Sequence, residues 1–227
     1  MIHKSSPLFL NREHAAQELI SQLSYYTNKN CCIIATSNGG VAIASHVAKR
    51  LNADLIFIPS EKIKDPSDSR KSIGMVSFDY VVSGELPRDI PQDFIYRRTR
   101  AIRSELFSRY PDVYNPISSR FQDRIVILID DCLQTNDEIL GCLRTVRNQH
   151  PKEIIVAAPV ISHSAAQAIT HEADSVIFVH VVSDNAIKSA YLDFDTITDE
   201  EVPELMNLSI KEVIENELSS HNYFWWL

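Results

Sequence analysis

The stretch from Arg124 to Val146, RIVILIDDCLQTNDEILGCLRTV, constrains the fold of this chain more than any other. Its apolar run, Ile125 to Ile129, is aliphatic at every position, which suits a strand buried on both faces of a parallel sheet rather than one alternating between core and water. After a short polar loop, Ile139, Leu143 and Val146 fall at i, i+4 and i+7, one face of a helix. Asp130 to Glu138 are thereby placed at the carboxyl end of a strand, where open α/β sheets bind ligands, and at a helix N-terminus, whose free N–H groups attract anions. Two carboxylates at that point, Asp130 and Asp131, can accept hydrogen bonds from vicinal hydroxyls such as those of a ribose. The loop can then hold the sugar's phosphate.

The same pattern recurs along the chain. CCIIATSNGGVAIASHVAKRL reads as strand, Gly-Gly loop and helix, and LIFIPSEKI follows as a second strand. Ile154 to Ala158 and Val176 to Val181 read as further strands, separated by a helical stretch around His163 to His171. Strands alternating with helices imply an α/β fold with a mostly parallel central sheet flanked by helices. Between Pro66 and Gln122 lies a long insertion with scattered prolines, an extended stretch at Ile73 to Val82 and an arginine-rich run. Arg97, Arg98, Arg100 and Arg103 share a helix whose Ile95, Ile102 and Leu106 face inward, so a solvated arginine face is expected.

The acidic loop resembles the signature of the type I phosphoribosyltransferases, in which an apolar strand leads into two acids, small residues, a Thr and a Gly. Asp130, Asp131 and Thr135 match. The resemblance covers most of the chain and is nearest to one bacterial subgroup. PLFLNREHAAQELISQL is similar to that subgroup's opening helix, with Ala15, Ala16, Leu19, Ile20 and Leu23 as its apolar stripe. The Gly-Gly segment stands at the family's pyrophosphate loop, Lys62 is in register with a family lysine, and YLDFDTITDEEV is similar to the C-terminal segment.

This resemblance implies a single domain over residues 1–227 with a small hood, a mobile loop in the 66–122 insertion and a tail around 203–227. It implies Mg²⁺-dependent transfer of phosphoribosyl from phosphoribosyl pyrophosphate to a nitrogen acceptor such as a nucleobase. Asp130 and Asp131 would be catalytic, near the ribose hydroxyls. Leu133, Gln134, Thr135, Asn136, Asp137 and Glu138 would hold the 5′-phosphate; Ser37, Asn38, Gly39, Gly40 and Lys62 would attend the pyrophosphate. Mg²⁺ would arrive on the donor's oxygens rather than in a protein site. The acceptor-choosing hood would draw on the N-terminal segment and on Asp184, Asn185, Tyr191 and Phe194.

Departures from the family pattern share a direction. Cys132 and Asn136 replace glycines, Gln134 replaces Ala, Asp137 and Glu138 replace small or hydroxyl residues, Ser37-Asn38 replaces Pro-Arg, and Glu61 replaces an Arg before Lys62. The charge changes make the anion site less positive. A carboxylate about 5 Å from a phosphate costs on the order of 3 kcal/mol at an effective dielectric near 20, roughly a hundredfold in binding. Pointed outward, the same acids in a first helical turn stabilise the helix by about 0.3 to 1 kcal/mol. A fold that has lost catalysis and serves as a nucleotide-binding or regulatory module is therefore the alternative reading. A phosphoacceptor switch using the strand-end acids is a third, but gives the Gly-Gly segment no part.

Composition bounds the rest. At 227 residues and 44% hydrophobic, the chain can bury a full core. A net charge of −8 argues against nucleic-acid binding, which requires a cationic surface. No segment reads as a membrane span, and the start lacks the apolar core of a signal peptide, so a cytoplasmic location is expected. Cys31, Cys32, Cys132 and Cys142 lack metal or disulfide spacing and read as buried free thiols. The C-terminal HNYFWWL needs cover, either on its own domain or between two copies, and a homodimer is expected.

Overall fold

The computed structural model of the chain describes residues 6–78, 81–83, 90–111, 121–134 and 137–207. Helix α1 (Arg12–Leu23) opens it, capped by Asn11, whose side chain accepts from the His14 N–H. The predicted stripe is the packed face: Ala15, Ala16, Leu19 and Leu23 are fully buried. Strand β1 (Cys31–Ala35), helix α2 (Asn38–Leu51) and strand β2 (Asp54–Phe57) follow. Asn52 ends α2 in the left-handed conformation and donates its N–H to the Ala48 and Lys49 carbonyls, a C-terminal arrangement that Asn tolerates better than most residues.

LIFIPSEKI, expected as one strand, is divided. Ile58 still donates to the Ala35 carbonyl, but Pro59 has no N–H with which to continue a ladder. Beyond it the chain enters β3 (Ser60–Lys64) in a second, antiparallel sheet, β3-β4-β5, with β4 (Ser72–Ser77) and β5 (Val81–Ser83). The extended stretch Ile73 to Val82 is thus two strands. Helix α3 (Gln92–Arg109) buries Ile102 and Leu106 as its pattern requires. The expected solvated arginine face holds for Arg97, which pairs with Asp93 on the same helix with its side chain 72% exposed, and for the exposed Arg100. Arg98 and Arg103 are half-buried, and Arg103 donates to the Ser77 carbonyl of β4 at 3.4 Å.

The central sheet continues through β6 (Ile125–Ile129), the two-residue β7 (Cys132–Leu133), helix α4 (Asp137–Arg147), β8 (Glu153–Ser162), helix α5 (His163–Ile169) and β9 (Ser175–Val182). Its strands lie in the order β2-β1-β6-β8, with β9 on the far side of β8, and every recorded pairing is parallel. β8 is long enough to pair with β6 through Ala157 and with β7 from Val160. Pro159 falls between the two ladders, where no donor is needed.

Alternation along the apolar runs feeds two cores. Ile125, Ile127, Ile129, Ile33, Ile155 and Ala157 face one core, which α1 and α2 cover. Val126, Leu128, Ile34, Ile154 and Val156 face the other, which α4 and α5 cover. No helix among the described residues is long and apolar enough to cross a membrane. Residues 201–207 are helical and bury Val202.

Candidate functional site

The strand order reverses between β1 and β6: chain order runs outward to β2 on one side and to β8 and β9 on the other. In parallel α/β sheets the crevice beyond the carboxyl ends at such a reversal is where ligands bind. Here Ala35 is paired with Ile129, so the turn after β1 and the acids after β6 stand side by side. Ser37 joins them. Its hydroxyl donates to Asp130 Oδ1 at 2.5 Å and accepts from the Gly40 N–H at 2.9 Å, making Ser37 both the cap of α2 and the tether of Asp130.

Asn38, Gly39 and Gly40 were expected in a loop but form the first turn of α2. The Ser37 cap explains this, since it satisfies a helix-end donor and lets the helix begin directly after the strand. The glycines are required for closeness, not for unusual torsions. A Cβ on Gly39 would stand 2.6 Å from Asp131 Cγ and nearer still to Oδ2, and one on Gly40 would be 2.9 Å from the Ile129 carbonyl.

Asp130 and Asp131 are both buried. Asp130 Oδ1 accepts the Asp131 N–H at 2.8 Å. Asp131 Oδ2 accepts from Arg12 Nε at 2.8 Å, with the two side chains only 9% and 13% exposed. Arg12 also donates to the Asp195 carbonyl at 2.6 Å and lies 4.0 Å above the Phe194 ring. Phe194 stacks on Tyr191 at 4.6 Å, and the Tyr191 hydroxyl donates to the Asp131 carbonyl at 2.6 Å. Burial, reinforced by the Asp131 charge, pushes the Tyr191 phenol above its ordinary range, so it remains a donor.

A second group adjoins the first turn of α2. Asp199 Oδ1 accepts from Asn38 Nδ2 at 2.8 Å and from the Tyr110 hydroxyl at 2.6 Å, and Oδ2 lies 3.4 Å from Arg109 Nε. Arg109 also approaches Glu61 at 3.6 Å. Burial opposes ionisation of Asp199, but the Tyr110 and Asn38 hydrogen bonds and the Arg109 charge outweigh it and hold its carboxyl below the usual range.

The remaining predicted residues divide. Cys132 takes no positive φ and lies in β7, so a strand residue suffices there without glycine's freedom. Burial, then the neighbouring Asp131 and Asp130 charges, push its thiol up and keep it protonated. Leu133 packs into the core; Gln134 reaches away to the Asp184 carbonyl at 2.8 Å. Thr135 and Asn136 lie outside the described residues, as do the side chains of Asp137 and Glu138, whose backbone opens α4. Lys62 is half-buried in β3, opposite Met75. Asp184, expected in the hood, accepts from Ser164 Oγ at 2.5 Å.

Arg12, Arg109 and Tyr110 escaped sequence reasoning. Only Arg12 carries a local signal: a cation at the first position of a helix opposes the helix dipole, so its charge must be used elsewhere.

Comparison with known proteins agrees with this fold. The sequence profile of the "Phosphoribosyl transferase domain" family matches residues 1–195. A Mycobacterium tuberculosis protein named "Putative phosphoribosyl transferase", recorded from two strains, is 23% identical over 92% of this chain and 48% of its own length. The chain thus spans about half the length of the curated relatives it matches. The crystal structure of TT1426 from Thermus thermophilus superposes with a TM-score of 0.70 at 26% identity, covering 87% of this chain and 97% of that one. With the profile spanning most of its length and the acid pair and Gly-Gly turn meeting at the switch point of a parallel sheet, this chain belongs to the phosphoribosyl transferase domain family.

Proposed function

We propose that the protein transfers a phosphoribosyl group from phosphoribosyl pyrophosphate to a nitrogen acceptor such as a nucleobase, as a cytoplasmic enzyme of nucleotide metabolism. The observation that carries the reading is the joining of Asp130 to Ser37 across the β1–β6 crevice, with Gly39 packed against Asp131. A ribose bound there meets two adjacent carboxylates, which orient its hydroxyls and favour positive charge developing at C1 as pyrophosphate departs. The first turn of α2 offers N–H groups to an anionic leaving group. Thr36, between β1 and Ser37, keeps a buried hydroxyl with no partner among the described residues, an unmet hydrogen bond at the same strand end.

Adjacent hard carboxylate oxygens fit a Mg²⁺ ion carried in on the donor and still largely hydrated. When bound, the ion supplies neutralisation of the pyrophosphate charge; the chain's own residues supply position. Homodimeric assembly belongs to the same proposal, although the aromatic tail that prompted it lies outside the described residues.

A binding or regulatory module is the second reading, favoured by one observation: Glu61 and Asp199 bring two carboxylates to the Arg109 guanidinium beside α2. Calorimetric titration with phosphoribosyl pyrophosphate and Mg²⁺ separates the readings when run beside the Asp130→Asn, Asp131→Asn double variant. Micromolar binding that the variant lacks, followed by pyrophosphate release with a nucleobase present, is the expected result. No heat at millimolar donor would leave the binding-module reading.

A further inference from the structure

We propose that Asp199 is an internal stand-in for an anionic ligand: its carboxylate fills a phosphate-binding pocket built by Asn38, Arg109 and Tyr110, and a phosphate group of the substrate enters by displacing it. The inference rests on the transferase reading for the identity of the substrate, but the pocket itself is argued from contacts alone. An amide N–H, a phenol and a guanidinium, drawn from the start of α2 and the end of α3, converge on the two oxygens of one carboxylate. Charge-assisted donors converging in this way are what a phosphate recruits.

Place and access agree. Asn38 follows directly on Ser37, which tethers Asp130, so the pocket adjoins the crevice where the acid pair lies. It also stands at the N-terminal turn of a 14-residue helix, whose unsatisfied N–H groups favour anions. The Arg109 and Asp199 side chains are 39% and 37% exposed, so solvent and solutes reach them.

The segment that carries Asp199 belongs to neither sheet, so its displacement beyond Phe194 breaks no strand pairing. Residues 192–198 have no regular structure and pair with no strand. Leu192 and Asp193 donate their N–H groups to Phe9 and Leu10, and Phe194 is held between Tyr191 and Arg12. From Asp195 on, the ties are single bonds: Arg12 to the Asp195 carbonyl, Asn38 to the Ile197 carbonyl at 3.2 Å, and the Thr198 N–H to Glu201. Replacing one carboxylate charge with the two or more of pyrophosphate strengthens the pairing with Arg109, which Glu61 otherwise shares.

Inorganic pyrophosphate, without ribose, is the probe. Wild type, Asp199→Asn and the Asp199→Asn, Arg109→Gln double variant are titrated by calorimetry. Asn at position 199 keeps an oxygen for Tyr110 and Asn38, while the charge and the oxygen facing Arg109 give way to an NH2 group; Asp199→Ala serves as a second form should Asn fail to fold. Pyrophosphate affinity at least tenfold above wild type in Asp199→Asn, with that gain abolished in the double variant, is expected. Affinity equal to or below wild type, or a gain that survives loss of Arg109, overturns the proposal. Because the probe lacks the sugar, this result is independent of whether Asp130 and Asp131 bind phosphoribosyl pyrophosphate. Failure of the transferase reading and failure of the pocket are therefore distinguishable.

Discussion

Arg12 occupies a helix position where its charge is unfavourable, and it is held there by a buried carboxylate, a carbonyl and an aromatic face. Removing one member of a buried ion pair costs more than the pair contributes, because the other charge remains desolvated. Arg12→Gln is accordingly expected to lower unfolding free energy by about 3 kcal/mol, read by urea denaturation. Donor affinity should fall with it, because Asp131 loses the group that fixes its orientation; unchanged stability would show that Asp131 is satisfied without Arg12. The acid pair and the glycines were legible in the sequence because their signals are local: acids end an apolar run, and a Gly pair stands between a strand and a helix, although the glycines, expected in a loop, prove to be the helix's first turn. Arg12 and Tyr110 were not, since their partners lie 119 and 89 residues away and no local periodicity marks such a bond.

At the scale of elements, the strands β6 and β8 could be read from unbroken apolar runs, because both their faces are buried, and helices α1, α3 and α4 from periodicity, because each buries one face. The break at Pro59 was hidden by apolar residues on its N-terminal side and by Lys62's apparent register, and is decided by one missing N–H. The attachment of α4 was also hidden. Asp174, in the turn before β9, accepts from Arg147 on α4 at 2.9 Å and from the Ile154 N–H on β8 at 2.7 Å. Burial opposes its ionisation, but the Arg147 and Ile154 hydrogen bonds prevail and depress its pKa. A carboxylate whose pKa is lower folded than unfolded contributes stability above the unfolded value near pH 4, and that contribution vanishes as pH falls through the folded value. Asp174→Asn should therefore cost about 0.5 to 1 kcal/mol at pH 7, the modest figure reflecting its exposure to solvent. The two proteins should converge in stability as pH falls through the lowered folded value, as thermal melts across pH would record.

Over the whole molecule, distant parts of the chain close on the acid pair. Phe9 and Tyr191 form a parallel bridge, Leu8 and Phe9 donate to the Ala190 carbonyl, and Leu192 and Asp193 donate back to Phe9 and Leu10. Tyr191 then reaches the Asp131 backbone. Tyr191→Phe leaves that buried carbonyl without its phenol and is expected to cost about 1 to 2 kcal/mol. Amide exchange should localise the loss to residues 8–10 and 190–193; exchange unchanged there would mean the clasp holds by ring packing alone. This architecture also has a consequence in time. A chain growing at the ribosome lays down Asp131 sixty residues before Tyr191, an interval of roughly 3 to 12 s at 5 to 20 residues per second. Throughout it the two acids have neither their aromatic cover nor the Asp199 segment in place. A nascent or prematurely released fragment ending before Tyr191 thus lacks a finished site, which ties completion of the crevice to synthesis beyond that residue.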